Sequence, residues 1–225
     1  MNDKFMRLAI NEAWKYQFLT YPNPAVGATV VLDNELLSIG VHKQAGKPHA
    51  EVNAIKEAFL KLHPKSTINQ LTSSYDIHQY LIKNHNNCFI NCDIYVTLEP
   101  CNHIGKTPSC ASLIKNLKFK TVIIGSNDTN DEAKGGISTL QSSNIKCLKS
   151  KLFNETNNLL FPFQKWQKNK FIFFKLAMRE DGSIDGGYIT TKQSLKRVHH
   201  IRTLIDTLII GGNTVRVDKL TLDTR

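Results

Sequence analysis

His49-Ala50-Glu51 and Pro100-Cys101, followed by Cys110, combine one imidazole, two thiols and one carboxylate in a single pattern. Three nitrogen and sulfur ligands with a fourth position left open are typical of a catalytic zinc site, whereas a structural zinc site is closed by a fourth protein ligand. The pattern therefore predicts that the imidazole and the two thiolates bind Zn²⁺. The carboxylate, two residues after the histidine, suits proton transfer better than metal binding.

A histidine-x-glutamate motif with a later proline-cysteine pair is typical of zinc deaminases, in which the glutamate is a general acid/base and not a ligand. This chain departs from that pattern by having eight residues, instead of two, between its two cysteines. Zinc lowers the pKa of a bound water molecule to about 7, so that hydroxide can attack a ring carbon that bears an amino group. Glu51 would move the water proton to the ring nitrogen and the amine, so that ammonia leaves. We therefore predict a hydrolytic deaminase with Glu51 as its catalytic residue.

Three other interpretations of these residues stay open. A fourth ligand such as His103 would close the shell and make the zinc structural, although Glu51 would then have no role. A nucleic-acid deaminase, which flips a base into its pocket, would use the net charge of +10. Scattered lysines and the wide cysteine spacing argue against that class. A zinc-stabilised binding module without catalysis is the third interpretation, and the intact glutamate argues against it.

The composition of the 225 residues, with 41% hydrophobic and 21% charged, is that of an ordinary globular protein. No apolar run approaches the roughly 20 residues of a membrane span, and the N-terminus lacks the apolar stretch of a secretory signal. An odd number of cysteines, with two of them in the metal pattern, indicates a reducing compartment. We expect a cytoplasmic protein without a membrane partner. Three cysteines are expected to be unliganded: Cys88, Cys92 and Cys147.

Hydrophobic periodicity predicts an α/β fold with helices on both faces of a sheet. Strands are expected at 25–32, 36–42, 93–98, 121–125 and 145–148, and helices at 2–19, 49–62, 110–117 and 136–141. Residues 1–150 are thus expected to form the zinc domain. The polar stretch 63–92 is expected to be a surface insertion with some helix, outside both the core and the catalytic site.

A linker and a second unit are expected after this domain. Residues 151–170 are rich in Lys, Asn and Gln around Phe161-Pro162-Phe163, and they are interpreted as the connection. In residues 171–225 the pattern predicts strands at 171–178 and 207–210, a turn into a short strand over 182–189, and a helix over 191–203.

Other side chains are candidates for the pocket around the zinc site. Asn23 stands between two prolines and His42 ends a predicted strand, although Asn is also an ordinary turn residue. The loop 102–109, between the two zinc-site cysteines, adds a cation, a flexible glycine and a hydroxyl. These groups could bind a phosphate or a polyhydroxylated group, or the loop could merely close the turn with its lysine in solvent.

These segments together resemble the bifunctional riboflavin-biosynthesis deaminase/reductase family, and the match rests on Pro22 to Gly27, His42 to Gly46, His49 to Glu51 and Tyr95 to Cys110. The wide cysteine spacing separates this family from nucleic-acid deaminases. The resemblance implies a three-layer cytidine-deaminase-like fold and a small phosphorylated pyrimidine as partner, with no nucleic acid. The implied reaction converts 2,5-diamino-6-(5-phosphoribosylamino)pyrimidin-4(3H)-one to 5-amino-6-(5-phosphoribosylamino)uracil. The implied substrate-binding residues are Asn23, His42, His103, Lys106 and Thr107.

The second unit resembles the opening of the NADPH-dependent reductase domain of that family, which has a dihydrofolate-reductase-like fold. The implied cofactor- and substrate-binding residues are Lys175, Ala177, Thr190, Arg202, Asp206, Gly212, Thr214, Asp218 and Arg225. Residues 171–225 are too few to bury an adequate core alone. We therefore expect no reductase activity from this chain, and NADPH only for a complete domain. The oligomeric state stays open, although exposed strand edges in such a unit would favour a homo-oligomer.

Three departures from the family pattern affect these expectations. Ser109 stands where the family has a second proline before the last cysteine. Asp128-Thr129-Asn130-Asp131 stands where the family has an Asp-Pro-Asn-Pro loop. This difference weakens the inference that the segment makes the substrate contacts that the family makes there. The stretch 63–92 is also longer than the resemblance implies.

Overall fold

The structure, a computed structural model, describes residues 3–103, 105, 107–130, 133–184 and 189–218. The chain divides into a first unit, Met1–Asn169, and a second unit, Lys170–Arg225. Within the described ranges, none of the helices is both long and apolar enough to cross a membrane.

The first unit is organised around a five-stranded sheet with the order β2-β1-β3-β4-β5. Its strands are β1 (Gly27–Leu32), β2 (Glu35–Val41), β3 (Cys92–Leu98), β4 (Thr121–Ser126) and β5 (Lys146–Lys149). Strand β1 pairs antiparallel with both β2 and β3, whereas β3, β4 and β5 run parallel. The five predicted strands are all present, each within two residues of its expected ends.

Helices cover both faces of this sheet. They are α1 (Asp3–Trp14), α2 (Ala50–Leu62), α3 (Ser74–Asn84), α4 (Cys110–Asn116), α5 (Gly136–Gln141) and α6 (Phe153–Lys168). Successive residues of a strand point to opposite faces. Ile94 and Val96 accordingly join the core beneath α2, α4 and α5, while Tyr95 packs with Phe5 of α1 on the other face. The expected α/β fold with three layers is confirmed.

Helix α1 is shorter than the predicted span of 2–19. It ends at Trp14, and residues 15–22 form a series of turns. Phe18 there has a φ of 71°, which lies in the left-handed region and cannot continue a right-handed helix. The chain therefore turns back before it reaches β1.

The expectation that residues 151–170 form a linker is wrong. Residues 153–168 form helix α6, which buries Thr156, Leu159 and Leu160. The Gln17 side-chain amide donates a hydrogen bond to the carbonyl oxygen of Leu159, and the Thr156 hydroxyl lies 2.7 Å from that of Ser126. The many Lys, Asn and Gln residues conceal a narrow apolar stripe at helical spacing, and this stripe is enough to dock the helix.

The expectation that residues 63–92 lie outside the core is also wrong. This stretch contains a 3₁₀ helix, Thr67–Gln70, and helix α3. Four of its large apolar side chains are fully buried in the main core of the unit; they are Ile68, Ile77, Leu81 and Phe89. Two of the polar residues that suggested a surface excursion instead cap these helices: Ser66 accepts from the Ile68 N–H, and Ser73 accepts from the Asp76 N–H.

The second unit lacks the strands predicted at 171–178 and 207–210, because both segments are irregular. Residues 185–188, in the third predicted strand, lie outside the described residues. A strand needs a neighbour to satisfy its backbone groups, and no sheet forms among the described residues of this unit. Phe174 and Ile209 accordingly remain 85% and 84% exposed.

The predicted helix at 191–203 is confirmed as α7 (Lys192–Arg202), and a further helix, α8, covers Gly212–Asp218. Helix α7 buries none of its residues. The reductase-like part of the expected fold stays a prediction.

Two neighbouring substitutions in α6 test whether this helix belongs to the core. Leu160→Ala is expected to lower the free energy of unfolding by about 2–5 kcal/mol, because it leaves a cavity beneath the helix. Phe161→Ala, at a side chain that is 49% exposed, is expected to lower it by no more than about 1 kcal/mol. Urea unfolding followed by circular dichroism measures both values. Equal effects would contradict the docking of α6.

Candidate active site

His49, Cys101 and Cys110 form a compact group of possible metal ligands, with one ligand atom from each lying within 4.8 Å of the others. The Nδ1 atom of His49 lies 3.6 Å from the sulfur of Cys101 and 3.4 Å from that of Cys110. Tetrahedral coordination with ordinary Zn–N and Zn–S bond lengths requires a separation of about 3.6 Å between nitrogen and sulfur. The donor set and its spacing therefore fit a zinc ion.

Two different helix starts supply two of these ligands, and Cys101 lies in the segment between β3 and α4. His49 immediately precedes α2, and Cys110 is the first residue of α4. Ser109 caps α4 by accepting a hydrogen bond from the Ser112 N–H, and its hydroxyl donates to the Cys101 carbonyl at 3.0 Å. The serine that departs from the family pattern thus connects the two cysteine segments.

Close backbone contacts bring these segments to their positions. A Cβ atom on Gly40, in β2, would lie 2.1 Å from the backbone nitrogen of Ala54 in α2. A Cβ atom on Gly136, at the start of α5, would lie 1.9 Å from the carbonyl oxygen of Pro100. Only glycine permits approaches this close. Helix α2 therefore lies directly on the sheet, and the segment before Cys101 lies directly against α5.

The hydroxyl of Thr107 contacts the other ring nitrogen of His49, at 3.3 Å from Nε2. When the Nε2–H group donates to this oxygen, Nδ1 keeps its lone pair on the side of the two sulfurs. Such partners commonly fix the tautomer and orientation of a metal-binding histidine. The contact gives Thr107 a role beside His49 that the sequence did not indicate.

The titratable groups of the cluster influence one another strongly. A hydrogen bond with Cys110, reinforced by His49, lowers the pKa of the Cys101 thiol to about 4. The same contact with Cys101, together with burial, raises the pKa of Cys110 well above its usual range. One of the two sulfurs is thus ready to bind as a thiolate. A divalent cation between them would favour the thiolate form of both.

Glu51 lies in the first turn of α2 and is 4% exposed. Burial raises the pKa of its carboxyl group to about 7, although the neighbouring imidazole of His49 opposes this shift. A carboxyl group with a pKa near neutrality can both accept and release a proton under physiological conditions. This side chain therefore has the properties of a general acid/base next to a metal site.

A cavity of about 940 Å³ in the first unit opens onto this group and is lined by His49, Glu51 and Cys101. Four of the five predicted substrate-binding residues also line it or lie at its wall: Asn23, His42, His103 and Thr107. The fifth, Lys106, lies outside the described residues. This volume is within the usual range of small-molecule sites.

Asn23 and His42 form a pair in this cavity, with 3.0 Å between Nδ2 of the amide and Nε2 of the ring. Burial, and to a smaller extent the charge of His49, lowers the pKa of His42 to about 4, so that its ring is neutral at pH 7. The His42 Nδ1 atom lies 3.2 Å from the Pro48 carbonyl and donates to it. The Nε2 atom then accepts from Asn23, which orients the amide.

The sequence did not indicate two further features of the cavity. The carboxylate of Glu99 accepts hydrogen bonds from the backbone N–H groups of Asp128, Gly135 and Ile137. It thereby holds the segment 128–130, which lines the cavity. Helix α6 adds another wall of four residues: Phe163, Trp166, Gln167 and Lys168. Only Glu99 could have been noticed, since it stands beside Pro100-Cys101.

The residues proposed for the reductase part lie in the second unit. Lys175, Ala177, Thr190 and Asp206 are in irregular segments, Arg202 ends α7, and α8 contains Gly212, Thr214 and Asp218. The side chain of Asp218 and the whole of Arg225 lie outside the described residues. Since no sheet forms among the described residues there, these positions lack the scaffold that the resemblance implied.

Comparison with known proteins agrees with this fold and site. The family model described as cytidine and deoxycytidylate deaminase zinc-binding region matches residues 1–126. The riboflavin biosynthesis protein RibD of Aquifex aeolicus is 30% identical over 233 residues, which span 100% of this chain and 58% of that protein. The chain therefore spans little more than half the length of such relatives.

Solved structures give the same result. A diaminohydroxyphosphoribosylaminopyrimidine deaminase/5-amino-6-(5-phosphoribosylamino)uracil reductase from Thermotoga maritima is 31% identical, with a TM-score of 0.70 over 99% of this chain and 59% of that chain. RibD from Acinetobacter baumannii is 28% identical, with a TM-score of 0.66 over 97% of this chain and 56% of that chain. Fold and site together define the class of proteins with a cytidine-deaminase-like fold and a His/Cys/Cys group that fits zinc. The chain belongs to the cytidine and deoxycytidylate deaminase zinc-binding family.

The zinc group predicts a clear difference between cysteines. Cys110→Ala is expected to weaken zinc binding by more than about 100-fold, since removing even an outer partner of a ligand costs about 10–100-fold. Cys147→Ala, at a half-buried thiol outside the group, is the matched control and should keep the wild-type zinc content. Elemental analysis after dialysis measures the zinc bound per chain. Full zinc content in the Cys110 variant would contradict the assignment of this ligand.

Proposed function

We propose that this chain catalyses the hydrolytic deamination of 2,5-diamino-6-(5-phosphoribosylamino)pyrimidin-4(3H)-one to 5-amino-6-(5-phosphoribosylamino)uracil, a step of riboflavin biosynthesis. The carrying observation is the buried Glu51 beside a His/Cys/Cys group, at the wall of a cavity large enough for a ribotide. The proposal is supported by relatives at about 30% identity that are named for this pathway and this deaminase.

In the proposed mechanism His49, Cys101 and Cys110 would hold the zinc ion. When bound, zinc lowers the pKa of a water molecule, which supplies a nucleophile at neutral pH. Glu51 would accept one proton of the attacking water and deliver it to the ring nitrogen, where it stays, and would then carry the second proton of the same water to the departing amine. The oxygen of water replaces the 2-amino group, the carbon–nitrogen bond breaks, and ammonia is released. The raised pKa of Glu51 suits both halves of this transfer.

For substrate recognition, we propose that Asn23 contacts the base and that His42 acts with it by orienting its amide. The loop between the two cysteines would bind the phosphate. One N–H of the Asn23 amide is used by His42, which orients the amide so that its oxygen can accept from a base N–H. His103 contributes to the cavity beside this loop, and Lys106 would add the cation that a phosphate requires. Thr107 is already engaged by His49, so its contribution to phosphate binding would be secondary.

The proposed partner is a small phosphorylated pyrimidine and not a nucleic acid, and the proposed compartment is the cytoplasm. All five cysteines carry free thiols, as a reducing compartment requires. The net charge of +10 would attract an anionic ribotide. Reduction of the ribosyl group with NADPH is proposed only for a chain that carries a complete reductase domain. Homo-oligomerisation through the second unit is also part of this proposal.

The decisive assay measures ammonia release from the diaminopyrimidine ribotide by the zinc-loaded chain without NADPH. Release at enzymatic rates is expected, because every group of the proposed mechanism belongs to the first unit. Cytidine and a short single-stranded RNA serve as comparison substrates and should react at least about 100-fold more slowly. A preference for RNA or cytidine over the ribotide would refute the proposed substrate.

Glu51→Gln tests the proposed acid/base. The variant should bind zinc as the wild type does and lose at least about 100-fold in kcat, because an amide cannot shuttle the proton. Glu57→Gln makes the same chemical change at an exposed position of the same helix and should leave kcat unchanged. If the Glu51 variant kept its turnover, the assignment of the general acid/base would be wrong.

A further inference from the structure

One face of helix α6 serves both the core and the cavity. Thr156, Leu159 and Leu160 are buried in its first half, and Phe163 and Trp166 follow at spacings of three and four residues. Residues at this spacing lie on the same side of a helix. The buried face by which α6 packs on the rest of the first unit is thus continued by Phe163 and Trp166, which form an aromatic wall of the cavity.

The indole of Trp166 is held from two sides. The ring of Tyr21 meets it edge-on, with 4.9 Å between centroids and 75° between planes, and Phe163 lies 6.4 Å away at 29°. Tyr21 directly precedes the Pro22-Asn23-Pro24 loop, which lines the same cavity. The Thr20 hydroxyl donates to the Asn23 carbonyl at 2.9 Å and fixes this loop. The indole therefore has a defined place in the lining of the cavity that Asn23, His42 and Glu51 also line.

An indole at this wall suits one part of the proposed substrate better than the others. It carries no charge for a phosphate and a single N–H donor for a sugar, whereas its flat face stacks on any heteroaromatic ring. Polar atoms for the base edge are present on the Asn23 amide, which His42 orients. Edge recognition and stacking together would hold a planar ring in one orientation relative to Glu51.

We propose that Trp166 is a substrate-binding residue whose indole stacks on the pyrimidine ring and orients it for deamination. This inference rests on the proposed function, because it takes the pyrimidine ribotide as the ligand. It gives α6 a part in recognition that neither the zinc motif nor the loop between the cysteines supplies. Phe163 supports the indole from within the same helix.

Steady-state kinetics of ammonia release provide the first test. Trp166→Ala should raise KM for the ribotide about tenfold and change kcat less, since the loss of one base–aromatic stack acts mainly on binding. Trp166→Phe should retain most of the affinity, because it keeps an aromatic face. Trp14→Ala removes the other tryptophan, which is 42% exposed at the end of α1, and should leave KM unchanged. Zinc content and the melting temperature of each variant establish that it is folded.

Fluorescence provides a second test that does not require turnover. The chain has two tryptophans, so Trp14→Phe leaves Trp166 as the only one. In a Trp14→Phe/Glu51→Gln protein, the ribotide should quench this fluorescence saturably. Ribose 5-phosphate, which lacks the ring, should not quench it.

The outcomes separate this inference from the proposed function. An active wild type, an unchanged KM in Trp166→Ala and no quenching would overturn the stacking role alone. Equal quenching by ribose 5-phosphate would also overturn it, since the ring would not be needed. Quenching by the ribotide with no ammonia release from the wild type would contradict the proposed reaction and support the stacking.

Discussion

The active site depends on two close backbone contacts, one between β2 and α2 and the other between α5 and Pro100. Helix α2 can lie on β2 because Gly40 has no side chain, and α5 can press against Pro100 because Gly136 has none. These contacts bring the start of α2 and the segment before α4 together, so that an imidazole and two sulfurs share one small volume. The distances between ligand atoms are therefore a property of the whole sheet-and-helix packing, and not of any one loop. An added methyl group at either glycine would act on the metal group through the backbone.

The possible metal ligands and Glu51 are buried together, and their charges therefore interact strongly. Glu51, His49 and the two cysteines are removed from water, so each charge in the cluster alters the proton affinity of the others. The carboxyl group is raised to a pKa of about 7 while one thiol is lowered to about 4. A thiol usually has a higher pKa than a carboxyl group, and in this cluster the order of the two pKa values is reversed. This inversion provides a metal-binding thiolate and a carboxyl group that is able to carry a proton.

The sequence predicted those parts of the structure whose chemistry requires particular residues at particular spacing. His49, Glu51, Cys101 and Cys110 could be recognised because a catalytic zinc site allows few alternatives, and β3 and β4 because buried strands are continuously apolar. Helix α6 could not be recognised, since two buried leucines among lysines, asparagines and glutamines give little signal. The strands expected in the second unit are absent for another reason. A strand pattern reflects the conformational preference of the residues, whereas a stable strand also needs a neighbouring strand with which to form hydrogen bonds.

The carboxylate of Glu99 has a consequence for how this enzyme class can diversify. It holds the cavity-lining segment through the N–H groups of Asp128, Gly135 and Ile137, which every residue other than proline possesses. The Asp128 side chain adds one contact of its own, since its Oδ1 atom accepts from the Asn130 N–H at 2.9 Å. The described contacts of segment 128–130 with Glu99 and Asp128 thus involve backbone N–H groups and the carboxylate of Asp128. With Asp128 kept, the side chains at 129 and 130 can differ at this wall while these backbone contacts stay the same. Substitutions at these two positions could therefore alter substrate preference, by evolution or by design, while the residues of the metal site stay unchanged.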